Sequence, residues 1–586
     1  MFFSPAAARH ASPVGDIPAT LLVGTLAFTT SFVGVDYLAT VATNYDNLPA
    51  LLSSQLNAFW DGSASLLKQP IYRWSSTLST ITLTASCIAS TVAFVGGYYF
   101  YLADAPLLIT HIKGRQLLTG KAAIKKWLKK QKKAEEYGGV GIPLITTPEG
   151  VELGLSDRDE TDHCLLIAGT GGGKTTVLFP RIEAAIRRGD QVLLFDNKSD
   201  FTASLSSAKN VILVAPWDAR GWAWDVAADI QNRSDAEAFA AALILSSGDN
   251  PMWANAARNI LTAIIIRAQR EHPGKWTFQF ITDVFSAGAP EIKATVEKYT
   301  PEYSVSVEDM TGKTAQSVLL NLVSFLSPVF TLADAWARCP VKGRFSIKRW
   351  LHNKGEEANK TLLIQGNGAH EELQKSITQS IISSIKREVT SPRVSESTTR
   401  HVSIFLDEFP QLGKLEGFDN LVVVGRSKGV RLTIAIQDVS QLKEIYGNNI
   451  TQTWLSNFST LIVGKLGGAD TTKYLSDLVG KRKIRRYQPS FSNDGQNMPS
   501  RTDQYVEEEV TVIRQEEWTT ELGFQGDSMR MCVLTGDEYA YFFDAATLGN
   551  EMKRIKRKAH VPARWTASDW PSAIDVAIAE AGGRLK

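Results

Sequence analysis

The sequence predicts an α/β protein: a parallel sheet interrupted by an all-α insertion domain and preceded by an N-terminal two-helix transmembrane module. Three observations carry that reading. Seven short apolar runs lie between helical patterns, a long central stretch holds only helical periodicity, and two long apolar stretches occupy the first hundred residues. At 586 residues the chain is long enough for more than one sizeable domain.

The membrane module comes first. No Asp, Glu, Lys, Arg or His occurs from Trp74 to Ala103, and Thr80–Ala103 alone is 24 residues. As a helix that run spans roughly 36 Å, enough for a hydrocarbon core of about 30 Å. Tyr98, Tyr99 and Tyr101 at one end, and Trp74 beyond the other, read as interfacial aromatics. The earlier stretch from Ile17 to Ala42 is also apolar but carries Asp36 toward its end. Its length, and the second run close behind it, favour a span over a cleaved signal peptide. The module is therefore placed at 1–110, with helices about 17–42 and 79–103 and a short periplasmic loop between.

Orientation follows from charge. His111–Lys133 holds nine Lys/Arg and no acid, whereas the loop between the spans has only Lys68 and Arg73. The bulk of the chain then lies in the cytoplasm, and 111–150 is expected to be a basic juxtamembrane linker, its basic run touching anionic lipid or, on the alternative reading, nucleic acid. The overall net charge of +2 does not mark a general nucleic-acid binder. Cys87, Cys164, Cys339 and Cys532 are too scattered for a disulfide framework or a zinc site.

The strand candidates are His163–Ala168, Gln191–Asp196, Asn210–Pro216, Lys360–Gln365, Val402–Glu408, Arg431–Gln437 and Ser459–Lys465. Each is continuously apolar, as strands covered on both faces are. They assign a nucleotide-binding domain to 151–218 and 351–562. Between them, 219–350 reads as all-α, with a capping box at Ser234–Glu237. Arg486–Gln504, polar with Pro and Gly, is expected to be a loop, and 563–586 a tail.

The first strand runs into "AGTGGGKTT", Ala168–Thr176. The usual phosphate loop is G-x-x-x-x-G-K-[ST]; here Ala168 holds the first glycine's place. Gly169, Thr170, Gly171, Gly172 and Gly173 supply backbone N–H groups around phosphate, and the following helix N-terminus adds positive potential. Lys174 reaches the β- and γ-phosphates, the Thr175 hydroxyl can ligate Mg²⁺, and Thr176 completes the first turn. A small residue suffices at 168 unless its φ is positive. A second Gly-Lys-Thr, Gly312–Thr314, has no apolar strand before it and Val307 in the first position. It is expected to be a helix start.

Hydrolysis also needs a metal-holding acid and a group to activate water. Val402–Glu408 delivers Asp407 for Mg²⁺ and Glu408 for the water, at a strand's carboxyl end where open sheets bind ligands. Gln437 ends the next strand, either as a γ-phosphate sensor or simply as a polar strand end. Arg426 reads as a surface residue or as an arginine finger facing a neighbouring subunit.

Taken together and in order, these segments resemble the coupling proteins of type IV secretion systems, the TraD/TrwB-like conjugative ATPases. The resemblance adds "APWDARGWAWD" (215–225), near the family's N-P-F-D-x-R, and "WANAARNIL" (253–261). It also takes in "DEFPQLGKL" (407–415), "GRSKG" (425–429), "AIQDVSQL" (435–442) and "VTVIRQEEW…MRMCVLTGDEYAYFF" (510–543). Ala-Pro-Trp departs from the family's Asn-Pro-Phe. The resemblance implies a RecA-like P-loop NTPase using ATP and Mg²⁺, with Lys174 and Thr175 as Walker A and Asp407 and Glu408 as Walker B. It puts Arg426 at the arginine finger and Gln437 at the glutamine sensor. It further implies a homo-hexamer in the bacterial inner membrane, with a single-stranded DNA–relaxase nucleoprotein and the secretion channel as partners. The competing readings are an ATPase receptor for effector proteins and an FtsK/HerA-type DNA translocase. The two spans, the helical insertion and the motif order argue against the translocase.

Overall fold

A computed structural model of the chain describes residues 109–206, 209–244, 251–311, 315–338, 342–492, 500–547 and 558–567. The candidate spans 17–42 and 79–103, and most of 563–586, lie outside them. Among the described residues no helix is long and apolar enough to cross a membrane. The chain divides into two compact units: Met1–His111 with Ile484–Glu508, and Ile112–Lys483 with Glu509–Lys586.

The larger unit contains the sheet. All seven apolar runs are strands: β1 Cys164–Ile167, β2 Gln191–Asp196, β3 Val211–Val214, β4 Thr361–Gln365, β5 Val402–Leu406, β6 Val430–Ile436 and β7 Thr460–Val463. They pair in parallel in the order β3-β4-β2-β5-β6-β1-β7. Every residue in them is buried, which is why none alternates in polarity. Of two strands that the sequence reading left unmarked, β8 Ser528–Leu534 pairs antiparallel with β7, and β9 Tyr539–Ala546 pairs antiparallel with β8. Gln116–Thr119 then pairs parallel to β9.

Helices cover the sheet. The segment anticipated as a linker carries α1, Gly120–Gly138. Its buried Trp127 meets Tyr541 and Phe543 edge-on, and Lys130 Nζ donates to Asp537 Oδ2 at 2.8 Å. The basic run is thus one solvated face of an amphipathic helix. α2, Lys174–Arg188, follows the glycine loop and ends on left-handed Gly189.

Among the described residues, the regular structure between β3 and β4 is helical, as expected, except for one two-residue parallel pair, Ala223–Trp224 with Arg344–Phe345. Its first long helix, α3 Arg233–Leu243, is capped by Asn232, whose Oδ1 accepts from Asp235 N at 2.9 Å. The expected box at Ser234 does not form. Asn232 is the extended residue, so Ser234 already lies within the first turn, and Glu237 pairs with Arg233 at 2.9 Å. The second Gly-Lys-Thr, itself outside the described residues, has the 3-10 segment Pro301–Thr311 before it and the helix Ala315–Ala333 after it; no strand leads in.

After β4 come α4, Glu371–Thr390, and α5, Phe418–Ser427, which precedes β6. Residues 558–567 return across the β3–β4 edge. Ala219 N donates to Val561 O at 2.8 Å, and Trp565 Nε1 to Pro216 O at 2.7 Å. Trp217, the departure from the family pattern, stacks on His370 and donates Nε1 to Gln365 Oε1 at 2.9 Å. The tryptophan therefore has contacts of its own.

Strands Ile109–Lys113, Lys481–Ser492 and Ser500–Thr511, most of whose residues belong to the smaller unit, form a sheet with Lys481–Ser492 central. The loop expected at Arg486–Gln504 is corrected to two strands around residues outside the described set. Cross-strand pairs Arg485–Glu507 and Arg486–Glu508, each at 2.8 Å, supply what the polar composition concealed.

Candidate active site

The strand order brings the site together. β6 lies between β1 and β5, so the ends of β1 and β5 are about 10 Å apart, two strand spacings. Through β6 the register sets Ile167 beside Ile436 but Leu406 beside Ile434, so β1 runs two residues further than β5, and the two residues after Leu406 are Asp407 and Glu408.

Ala168 continues the sheet. Its N–H donates to Ile436 O at 3.0 Å, and its φ is not positive. Glycine is not required there. It is required at Gly171 and Gly173, whose φ values are 70° and 98°. The turn after β7 clamps the loop: Gly169 N donates to Lys465 O at 2.9 Å. A Cβ on Gly464 would sit 2.1 Å from Gly172 O. This second wall was missed in the sequence; its only signal was a glycine closing the run Ser459–Lys465.

Lys174 opens α2 and bridges the gap to β5. Its Nζ donates to Glu408 Oε2 at 2.8 Å, and both side chains are buried. Glu408 Oε1 has no partner among the described residues. The Glu408 backbone is left-handed, φ 56°, a strained state for a non-glycine residue of the kind that clusters at functional sites. Beside it, burial, and then the charge of Glu408, pushes the Asp407 carboxyl up to about 6. Gln437 follows β6, and the Thr170 hydroxyl donates to its Oε1 at 3.3 Å.

Asp196, at the end of β2, is a member that sequence reasoning missed. Its Oδ2 accepts from Thr202 N and Oγ1 at 2.6 and 2.7 Å, and its Oδ1 has no partner among the described residues. Burial pushes it up to about 7, and the charge of Asp407 adds to the shift. Gln191–Asp196 ends in aspartate as the run into Asp407 does, but no spacing rule singles that acid out.

Arg426 is not brought to this loop. It sits at the end of α5, exposed, and pairs with Asp162 ahead of β1. That is the opposite end of β1 from Gly169–Thr176.

The donor set suits Mg²⁺ shared with a phosphate chain. One or two carboxylates and a hydroxyl are what such an ion takes from protein. Among the described residues no cluster of three or more His, Cys, Asp or Glu would hold a metal alone.

A glycine loop between a buried parallel strand and a helix, with acids two strands away and a helical insertion, defines a RecA-like P-loop fold. Residues 150–520 match the family described as type IV secretion-system coupling protein DNA-binding domain, and the chain belongs to that family. It is 23% identical over 383 residues to coupling protein TraD of Escherichia coli (strain K12), covering 65% of this chain and 50% of TraD. It is likewise 23% identical over 357 residues to conjugal transfer protein TraG of Agrobacterium fabrum (strain C58 / ATCC 33970), covering 55% and 52%. The chain thus spans about half the length of the curated relatives it matches. The fold is similar to that of the coupling protein TrwBdeltaN70, with TM-score 0.58, 19% identity, and coverage of 77% of this chain and 96% of that one. TrwB in complex with ADP and Mg²⁺ gives TM-score 0.57, 18% identity, and coverage of 77% and 97%.

Proposed function

We propose that this chain is an inner-membrane-anchored ATP hydrolase that recruits a relaxase–single-stranded DNA substrate to a type IV secretion channel and drives its transfer during conjugation. The observation that carries the hydrolase is the buried Lys174–Glu408 contact across the end of β6. Read as the phosphate-binding cation and the water-activating base, Lys174 and Glu408 are one hydrogen bond apart, which supports the reading. The coupling role is supported by family membership and by the names of TraD and TraG.

The residues divide the work. The N–H groups of Gly169–Gly173 and the start of α2 bind the phosphate chain. Lys174 neutralises the charge of the β- and γ-phosphates. Drawn to phosphate, it frees Glu408 Oε2, so both oxygens of that carboxylate can orient and polarise the attacking water. Thr175 and Asp407 would hold Mg²⁺, which would offset the negative charge of the phosphate chain. Gln437, tied to the loop through Thr170, reports whether the γ-phosphate is present. Arg426, remote from its own loop, serves the nucleotide of a neighbouring chain in a homo-hexamer.

The test is steady-state ATP hydrolysis by the full chain with and without single-stranded DNA, at two salt concentrations, beside Lys174→Ala. Stimulation that weakens with salt and is lost in Lys174→Ala is the expected result. Robust turnover indifferent to DNA would reject the DNA-coupled reading and point to protein cargo.

A further inference from the structure

Two residues that no motif includes hold the helix bearing Arg426. Asp162 ends the 3-10 turn Asp159–Asp162, and His163 joins it to β1. Asp162 Oδ1 forms an ion pair with Arg426 Nη2. His163 Nε2 donates to Val422 O at 2.8 Å, one helical turn before Arg426 on α5. His163 Nδ1 accepts from Leu432 N at 3.2 Å, so the ring is held from both sides. The joint is strained: His163 has φ 61°. The chain therefore grips α5 through backbone and guanidinium together, directly ahead of the strand that becomes the phosphate loop. The Arg426 side chain remains 59% exposed, against 24% for Asp162, so the rest of its donor fork faces outward.

We propose that Asp162 is a positioning residue for Arg426, fixing one nitrogen of the guanidinium so that the other donors are presented to the nucleotide of a neighbouring copy of this chain. This rests on the reading of Arg426 as a finger acting between chains. A long, many-rotamer side chain is a poor electrostatic partner until it is oriented, and a carboxylate on one edge of the fork leaves the other edge free. Because Asp162 leads straight into β1, the finger and its own chain's loop sit at the two ends of one short rigid strand.

The test uses mixed assemblies of full-length chains. One chain carries Lys174→Ala and can only donate a finger; the other carries Arg426→Ala and can only accept one. Turnover restored on mixing measures the finger. Asp162→Asn placed in the donor is expected to lower restored kcat by roughly tenfold with KM little changed, short of the roughly hundredfold that an ångström of misplacement can cost. Asp162→Glu in the donor should recover most of it. In the acceptor, where residue 426 is already alanine, Asp162→Asn should act far more weakly. An equal loss from either chain would mean that Asp162 merely supports β1 and would overturn the proposal, as would unchanged or raised kcat. If the mixture restores nothing even with Asp162 intact, the finger does not act between chains, and the proposal falls with that reading.

Discussion

At the scale of single residues, the site is defined by groups whose surroundings contradict their ordinary chemistry. Glu408 is buried, left-handed and half-satisfied, with one oxygen on Lys174 and the other without a partner. A carboxylate kept so is built to accept another hydrogen bond. Glu408→Gln keeps the shape and the contact to Lys174 but removes the base. Its expected effect is a fall in turnover of at least about 100-fold, in line with the loss of a general base, with ATP affinity preserved. Steady-state rates beside equilibrium binding of labelled ATP decide it; near-normal turnover would remove Glu408 from the role. Lys174, Asp407, Glu408 and the loop glycines were legible because each is a residue type at a fixed offset from an apolar run. Asp196 was not, because one acid after one buried strand has no spacing rule, and only the order β5-β2 sets it beside Asp407. The tolerance of Ala168 was legible as a condition on φ, which the backbone meets.

At the scale of elements, all seven buried strands were legible as continuous apolar runs, whereas strands with one wet edge were not. β8 reads Ser-Met-Arg-Met, its charge interrupting the run, and the long polar strands of the smaller unit look like loop until cross-strand ion pairs are counted. The entry to β1 has a measurable consequence. Burial, and next the backbone contact and the charge of Arg426, set the His163 imidazole; burial wins and holds it at about 4, against the ordinary 6.5. Between those values the unfolded chain binds the extra proton and the native chain does not. The contribution of His163 is therefore fully present above about 6.5 and is lost as pH falls toward 4, by up to about 3 kcal/mol. Asp196, raised from 3.8 to about 7, acts in the opposite direction, its contribution being lost as pH rises through about 7. Comparison with His163→Gln separates the two. Glutamine can still donate to Val422 O and accept from Leu432 N, and it does not titrate. Urea unfolding of both proteins from pH 4.5 to 7.5 should show the parent losing ground to the variant as pH falls. Parallel curves would mean that His163 titrates normally.

At the scale of the whole larger unit, the question is how a helical insertion of more than a hundred residues stays in register with the sheet that hosts it. Its two legs meet at Ala223–Trp224 and Arg344–Phe345, and the buried Asp229 ties them. The Asp229 carboxylate accepts from Trp224 Nε1 at 2.6 Å on one leg. On the other it accepts from Ser346 Oγ, Ile347 N and Lys348 N at 2.5, 2.7 and 2.9 Å. Further out, Asp235 at the start of α3 takes Lys348 and also Arg387 of α4, a helix of the host domain. Asp229→Ala would leave four donors, three of them buried, without an acceptor, a cost of at least about 3 kcal/mol. The loss falls on the neck rather than on β1, β5 or β6, so the insertion should loosen while the nucleotide end holds. Limited proteolysis should cut the variant first within 219–350, at temperatures where the parent resists, with ATP binding retained. Loss of ATP binding together with the insertion would show that neck and sheet unfold as one. Motion in the insertion would then be felt directly at Lys174 and Glu408.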